Sequence, residues 1–454
     1  MVVGDIATTT EVMVLGAGPG GYVAALRAAQ LGKEVILVDP TPPGGACLHR
    51  GCIPARALLT AAHHYWQIPH LEQMGITADP AQLNLEQMQQ WKNRLIKRLA
   101  AGITQLLDTN KVAFVQGKGW FLSDNELHVE AEHGAERYIF EHAIIATGAA
   151  PNGLSALNFN DQTVLMPWQA LELAELPADI GIVGADIIAA ELATLFAKLG
   201  SRTHLFVPAG HVWLPEFPAD AGRQVFSALR KLGVQVDTEI PDPATASATC
   251  KIVVVSLGHA PNTASLRLAQ AGIKTTASGA VVVNDRMQTS NPAVYAVGDV
   301  TGGPPLAHVA IRQAKVAAES LAGLPAQFAP QAVPYVAWTE PQLATVGLSA
   351  AQAQAAGYRV ISGRFPLAAS GRALTLNGGD GLVQTIAEQD SEVLLGVTII
   401  GPHAETLIGE AALALEMGAT LTDLIETLHP HPGLGEALQE SAEAALGMAV
   451  HIKR

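Results

Sequence analysis

The stretch Gly16-x-Gly18-x-x-Gly21, set between an apolar run and a helix-forming run, constrains this chain more than any other feature. Before it, Val12-Met13-Val14-Leu15 reads as a short buried strand. After it, residues 22–31 are rich in small side chains and closed by Gly32, which predicts a helix. Residues 34–38 give the next strand, ending at Asp39. Uniformly apolar strands of this kind belong to a parallel sheet covered on both faces. In such a βαβ unit the first glycine permits the tight turn, the second lets a pyrophosphate approach the backbone, and the third packs helix on strand. The helix N-terminal amides hold the phosphates, and an acid about twenty residues on accepts from a ribose hydroxyl. Asp39 occupies that place. A merely structural glycine turn explains the glycines but not the strand, helix and acid in register.

At about 150 residues per domain, 454 residues suggest about three domains. Hydrophobic residues at 49% and charged residues at 15% supply large cores and exclude a disordered chain. The net charge of −14 argues against nucleic acid or an anionic membrane as partner. The opening residues lack a basic, then apolar, leader, and no apolar run reaches the roughly 18 residues of a membrane span. With three cysteines, a disulfide scaffold is excluded, and a soluble protein of a reducing compartment, the cytoplasm, is expected.

Further along, residues 56 to about 107 are helical and amphipathic, with a loop near 76–80. Strands follow at 126–130 and 141–146, the second ending in Ala146-Thr147-Gly148. A second βαβ unit has a strand at 180–183, Gly184-Ala185-Asp186, a helix at 187–199 and a strand at 203–207. Residues 241–249 read as a loop, 251–256 as a strand, and 294–297 as a strand ending in Gly298-Asp299. In the tail, strands at 382–387 and 394–399 precede helices rich in Ala, Leu and Glu. The expected architecture is α/β: two doubly wound dinucleotide-binding domains plus an α+β tail domain. The expected boundaries are 1–150, 151–280, a central segment 281–328 returning to the first domain, and 329–454.

Cys47-Leu48-His49-Arg50-Gly51-Cys52 follows shortly after Asp39. Two cysteines this close to a nucleotide site suggest a redox disulfide beside the cofactor ring, since a thiolate at a helix N-terminus is activated for exchange. Two buried structural thiols are the alternative. A metal site is not expected, because no second Cys/His pair of ligand spacing lies nearby.

The segment from Gly44 through Pro54 resembles the active-site signature of the FAD-dependent pyridine nucleotide–disulfide oxidoreductases, most of all the members that oxidise dihydrolipoyl groups. The likeness extends through Arg56-Ala57-Leu58-Leu59, residues 91–119, Ala146-Thr147-Gly148, Gly298-Asp299-Val300-Thr301-Gly302-Gly303, Leu306-Ala307-His308 and residues 395–402. The resemblance implies FAD held by Gly16, Gly18, Gly21, Asp39, Gly45, Arg56, Gly119, Thr147, Gly148, Asp299, Ala307 and His308. Cys47 would be the interchange thiol, Cys52 the thiolate facing the flavin, and Asp299 the partner of the ribityl chain. His429-Pro430-His431-Pro432 with Glu436 is similar to the family's acid/base motif, with His431 the acid/base and Glu436 its orienter. An imidazole near neutrality suits a thiol's proton, and a carboxylate on its other nitrogen fixes the tautomer. The family closes this site with the second subunit of a homodimer, and the implied partner is a lipoyl-bearing carrier protein or complex.

The second nucleotide unit departs from the pattern. Where glycines are expected at 184, 186 and 189, only Gly184 is glycine. Ala189 is a mild change, but Asp186 puts a carboxylate where a pyrophosphate should meet bare backbone. Two like charges about 4 Å apart at an effective dielectric of about 20 repel by about 4 kcal/mol, roughly a thousandfold in affinity. Asp186 also reads as an N-cap of the following helix, which would occupy the same amides. The next strand ends in Val207-Pro208, where an acid for the NAD ribose is expected, and no arginine cluster suggests NADP. NAD(H) binding is thus expected to be weak or absent. Arg56 replaces the family's lysine, with Glu191 as its partner. His49 and Arg50 introduce charge into the redox loop, tuning its potential or simply facing solvent. Cys250 reads as a passive thiol, and Tyr335 and Trp338 as interface packing. The expected function is FAD-dependent oxidation of protein-bound dihydrolipoyl groups, with NAD⁺ as acceptor. The rivals are another disulfide reductase of the family, a relay that has lost its NAD site, and a non-catalytic scaffold, against which Cys47, Cys52, His431 and Glu436 together speak.

Overall fold

In the computed structural model, which describes residues 7–132, 134–154 and 157–453, the first apolar run forms β1 (Thr8–Leu15). It leads through the glycine turn into α1 (Pro19–Gln30) and then β2 (Val35–Asp39). β1 lies between two parallel neighbours, β2 and the strand Gly134–Ile145. Strand Ala113–Phe121 extends the sheet beside β2 and turns back through Glu126–Ala131 to Gly134–Ile145, so this part of the sheet closes on itself. Val294–Ala296 joins the far side of Gly134–Ile145, and the helix Ala307–Leu321 packs on α1, bound to it by Arg27–Glu319. The central segment therefore belongs to the first sheet. Both faces are covered: Val12, Val14, Leu37 and Ile144 look into one core, Met13, Leu15, Val38 and Ile145 into the other. Each fully buried Leu or Ile there contributes about 1.5–3 kcal/mol.

Helix α2 (Cys52–Gln67) leaves this domain and packs against the second one. There β3 (Asp179–Gly184), α3 (Ile187–Leu199) and β4 (Arg202–Pro208) repeat the βαβ arrangement. The sheet runs Gln235–Ile240, β4, β3, Ile252–Ser256, Val164–Leu165, all parallel. Residues 241–249 are not wholly loop, since Thr245–Thr249 forms a single helical turn.

The tail departs most from the sequence reading. It carries five antiparallel strands rather than two, in the order Tyr335–Ala337, Gln342–Gly347, Leu394–Gly401, Leu382–Glu388, Val360–Pro366. The helices Ala404–Glu416 and Glu436–Ala445 cover it. Among the described residues no helix is long and apolar enough to cross a membrane.

Candidate active site

A cavity of about 1570 Å³ opens at the carboxyl ends of both parallel sheets and runs between the three domains. It is larger than the roughly 300–1,000 Å³ of an ordinary ligand site and has room for a dinucleotide. Of the residues assigned to FAD, Gly16, Gly18, Asp39, Gly45, Arg56, Gly119, Thr147, Gly148, Asp299, Ala307 and His308 line it. Gly21 does not. It lies beneath, where a Cβ would sit 1.7 Å from the Gly16 carbonyl oxygen, so its role is to let α1 approach β1. Gly18 instead faces open space, with the nearest heavy atom 3.9 Å from a notional Cβ. Asp39 shapes the rim: its carboxylate accepts from Ala17 N at 2.7 Å and from Thr41 N and Oγ1 at 2.7 Å each. Burial pushes the Asp299 carboxyl up; its own backbone amide donates to it, and it lines the cavity where a hydroxyl of a bound group can reach it. His308 binds the Pro334 carbonyl through Nε2 at 3.1 Å, and burial lowers its pKa.

Among the described residues, three helices of eight residues or more begin on the FAD side of this cavity: α1 after Gly18, α2 after Gly51, and Ala307–Leu321 after Leu306. None has a side-chain cap, so their free amides and positive dipole ends are presented to an anion.

Cys52 is the first residue of α2, open to the cavity, and Cys47 is half-buried in the short helix Gly45–His49 before it. Both are thiols, and they hydrogen-bond to each other. The Cys47 hydrogen bond holds the Cys52 thiol below its ordinary value, Arg56 adds to this, and burial opposes both. Cys47 is pushed strongly up by the same hydrogen bond and by burial. The pair therefore carries one negative charge more readily than two, with Cys52 favoured over Cys47 to bear it.

One helical turn on, Arg56 Nη2 donates to Glu191 on α3. Its guanidinium lies 3.9 Å over the Trp338 ring, and Glu191 Oε1 accepts from Trp338 N at 3.1 Å. The expected Arg56–Glu191 pair is thus present. Within the chain Trp338 packs over this arginine, while Tyr335 meets Phe217 edge-on and lines the cavity. Among the described residues Arg56 Nη1 is buried without a partner, a donor left over for a bound group. His49 is fastened to the Pro43 carbonyl at 2.9 Å, and Arg50 lies over Trp168 of the second domain at 5.8 Å. Cys250 is buried in the second core, in keeping with a passive thiol.

His431 and Glu436 lie outside this cavity. His431 Nδ1 meets Glu436 Oε1 at 2.8 Å, and Glu436 Oε2 accepts from Gly433 N at 2.7 Å. Burial raises the Glu436 carboxyl, but the Gly433 amide and His431 outweigh it and hold it low. The His431 side chain is 82% exposed, leaving Nε2 free. His429 is its opposite, only 6% exposed, bound to Thr427 O at 3.0 Å and Glu410 Oε1 at 2.8 Å. His429 braces the loop, and His431 presents an oriented imidazole.

In the second βαβ unit Gly184 keeps its tight turn, since a Cβ there would lie 2.3 Å from Ser256 O. Asp186 is the N-cap of α3 and accepts from Ala189 N at 2.9 Å. Sequence reasoning missed His259 and Glu216, which line the cavity near Asp186; neither stands in a motif of fixed spacing.

Comparison with known proteins agrees with this geometry. The sequence profile described as pyridine nucleotide-disulphide oxidoreductase matches residues 10–314, and that of the family's dimerisation domain matches residues 333–442. A dihydrolipoyl dehydrogenase from Geobacillus stearothermophilus is 40% identical over 469 residues, covering 100% of this chain and 99% of the relative. One from Haloferax volcanii is 41% identical and covers 99% of each. Among solved structures, LpdA from Mycobacterium tuberculosis shares the fold with a TM-score of 0.88 at 24% identity, covering 96% of this chain and 99% of that one. The HOCl-induced flavoprotein disulfide reductase RclA from Escherichia coli does so at 0.84 and 24%, covering 95% and 99%.

Proposed function

The chain belongs to the pyridine nucleotide–disulphide oxidoreductase family, and from that premise we propose that it is an FAD enzyme that oxidises dihydrolipoyl groups borne by a carrier protein. FAD and NAD are the cofactors of this family. The first cavity wall suits FAD: the uncapped start of α1 for its pyrophosphate, Asp39 and Asp299 for its hydroxyls, and the orphan Nη1 of Arg56 beside the thiols. Bound there, FAD supplies a two-electron acceptor that returns the thiol pair to its disulfide.

The chain's own residues do the sulfur chemistry. In the oxidised enzyme Cys47 and Cys52 form a disulfide. A substrate thiolate attacks Cys47 Sγ, the Cys47–Cys52 bond breaks, and Cys52 leaves as a thiolate stabilised by Arg56 and the start of α2. The second substrate thiol gives its proton to His431 of the partner subunit, attacks the substrate sulfur of the mixed disulfide and expels Cys47, which takes up that proton from the imidazole. The lipoyl group departs as a cyclic disulfide, two electrons poorer. Glu436 fixes the tautomer of His431 throughout. The dimerisation domain, the outward-facing His431, and the exposed apolar side chains of Leu413, Met417 and Leu428 support a homodimer that completes each site.

The observation that carries this reading is the Cys47–Cys52 pair facing Arg56 inside a dinucleotide-sized cavity. Anaerobic titration of the FAD-loaded protein with dihydrolipoamide tests it. The flavin spectrum is expected to change and saturate near one equivalent per subunit, and Cys47→Ser to abolish the change. No spectral change at large excess overturns the proposal.

A further inference from the structure

Four helices of eight residues or more begin at the cavity wall, and one of them is unlike the rest. The first residues of α1, α2 and Ala307–Leu321 follow caps that make no side-chain hydrogen bond to them. The amides at the start of α3 are already taken. Asp186 accepts from Ala189 N at 2.9 Å, from Ser256 Oγ at 2.9 Å through both oxygens, and from Gly258 N at 3.3 Å. These donors ring the turn between the sheet's carboxyl edge and α3, where the fold places a dinucleotide pyrophosphate. At the matching place in the first unit, Gly18 leaves the space open.

Nothing nearby compensates. Among the described residues, the second unit contributes no lysine or arginine to the cavity lining; its basic side chain there is His259. Glu216 adds another carboxyl, raised by burial and by Asp186. β4 ends in Val207-Pro208, both buried, with no acid to take a ribose hydroxyl. Burial also raises the Asp186 carboxyl, against the pull of Ala189, Ser256 and Gly258. In either protonation state its oxygens hold the amides that a phosphate would need.

We propose that Asp186 bars pyridine dinucleotides from the second βαβ unit and is thereby the residue that sets which acceptors this enzyme can use. The family's usual second substrate does not fit this chain's site. Only the flavin readout of the test rests on the function proposed above; the binding readout does not.

The test titrates the FAD-loaded wild type, Asp186→Gly and Asp186→Ala with NADH under anaerobic conditions. NADH fluorescence reports binding and flavin absorbance reports reduction. Wild type is expected to show no saturation up to about 1 mM. Both variants free the helix amides and remove the charge, so each is expected to bind NADH about a hundredfold tighter or more. Should the alanine variant lose its fold, the glycine variant, which the N-cap position tolerates better, decides alone. Saturable micromolar binding by wild type, or no gain in the folded variants, overturns the proposal. Dihydrolipoamide is run on wild type in parallel. Failure of that arm sinks the dithiol reading, while the NADH binding result still judges Asp186.

Discussion

Cys52 owes its low thiol pKa to three neighbours of different kinds: the Cys47 thiol, the start of α2 and the Arg56 guanidinium. A thiol held below its usual value keeps its thiolate charge down to a lower pH than a free cysteine and loses it as pH falls through the depressed value. Arg56→Met is therefore expected to move the Cys52 titration upward, so that less thiolate remains at pH 7. Absorbance at 240 nm across a pH series, on the reduced protein, checks this; an unmoved midpoint contradicts it. His431→Ala is expected to slow dithiol-driven flavin reduction by about 10²–10⁴-fold, the usual worth of a positioned acid/base, with FAD still bound. Stopped-flow rates measure it, and an unchanged rate removes His431 from the mechanism. Most of these residues were legible because their chemistry is written locally: two cysteines five positions apart, a basic residue one turn later, a His-Pro pair ahead of a glutamate. Trp338 was not. Its place over Arg56 depends on how the tail sheet docks, which no local pattern encodes.

At the scale of elements, α2 and α3 are joined by two charged rungs one heptad apart. Arg56 and Glu191 form one, closed by Trp338. His63 and Lys198 form the other, closed by Glu340: Lys198 Nζ lies 2.5 Å from Glu340 Oε2 and 3.0 Å from His63 Nδ1, over the ring of Trp66. Both rungs clamp the same tail segment against the helix pair, so the second one helps to seat the first. The Lys198 side chain is 4% exposed, so Glu340→Ala strands a buried ammonium and is expected to cost about 2–3 kcal/mol. Lys198→Met removes the charge together with its need for a partner and should cost less. Thermal melts of the two variants should rank in that order; the reverse order would sink the clamp. Sequence reading placed α3 at its observed bounds because its helix is apolar and flanked by a cap and Gly200. It found two of the five tail strands, because Tyr335–Ala337 is only three residues long and Val360–Pro366 alternates with exposed polar positions. Strand Ala113–Phe121 was hidden by Gly117, Lys118 and Gly119, which break the apolar run.

Viewed whole, one copy of the molecule keeps the two parts of the proposed sulfur chemistry apart. Its thiols open into a cavity between domains, whereas its oriented imidazole points outward from the tail. The first nucleotide unit and the redox loop were readable along the chain because each is a contiguous motif. The way Asp186 gathers donors from Ala189, Ser256 and Gly258 was only half readable, since Ser256 and Gly258 come from a strand end far along the sequence. The central claim is that one subunit's cysteines work with the other subunit's histidine. Mixed dimers of Cys47→Ser and His431→Ala subunits test it most directly. Each parent is expected to be nearly inactive with dihydrolipoamide. In a random mixture about half the dimers are hybrids with one intact site each, so about a quarter of wild-type activity should return. A mixture no more active than its parents would mean that each subunit builds its site alone, and would contradict the account.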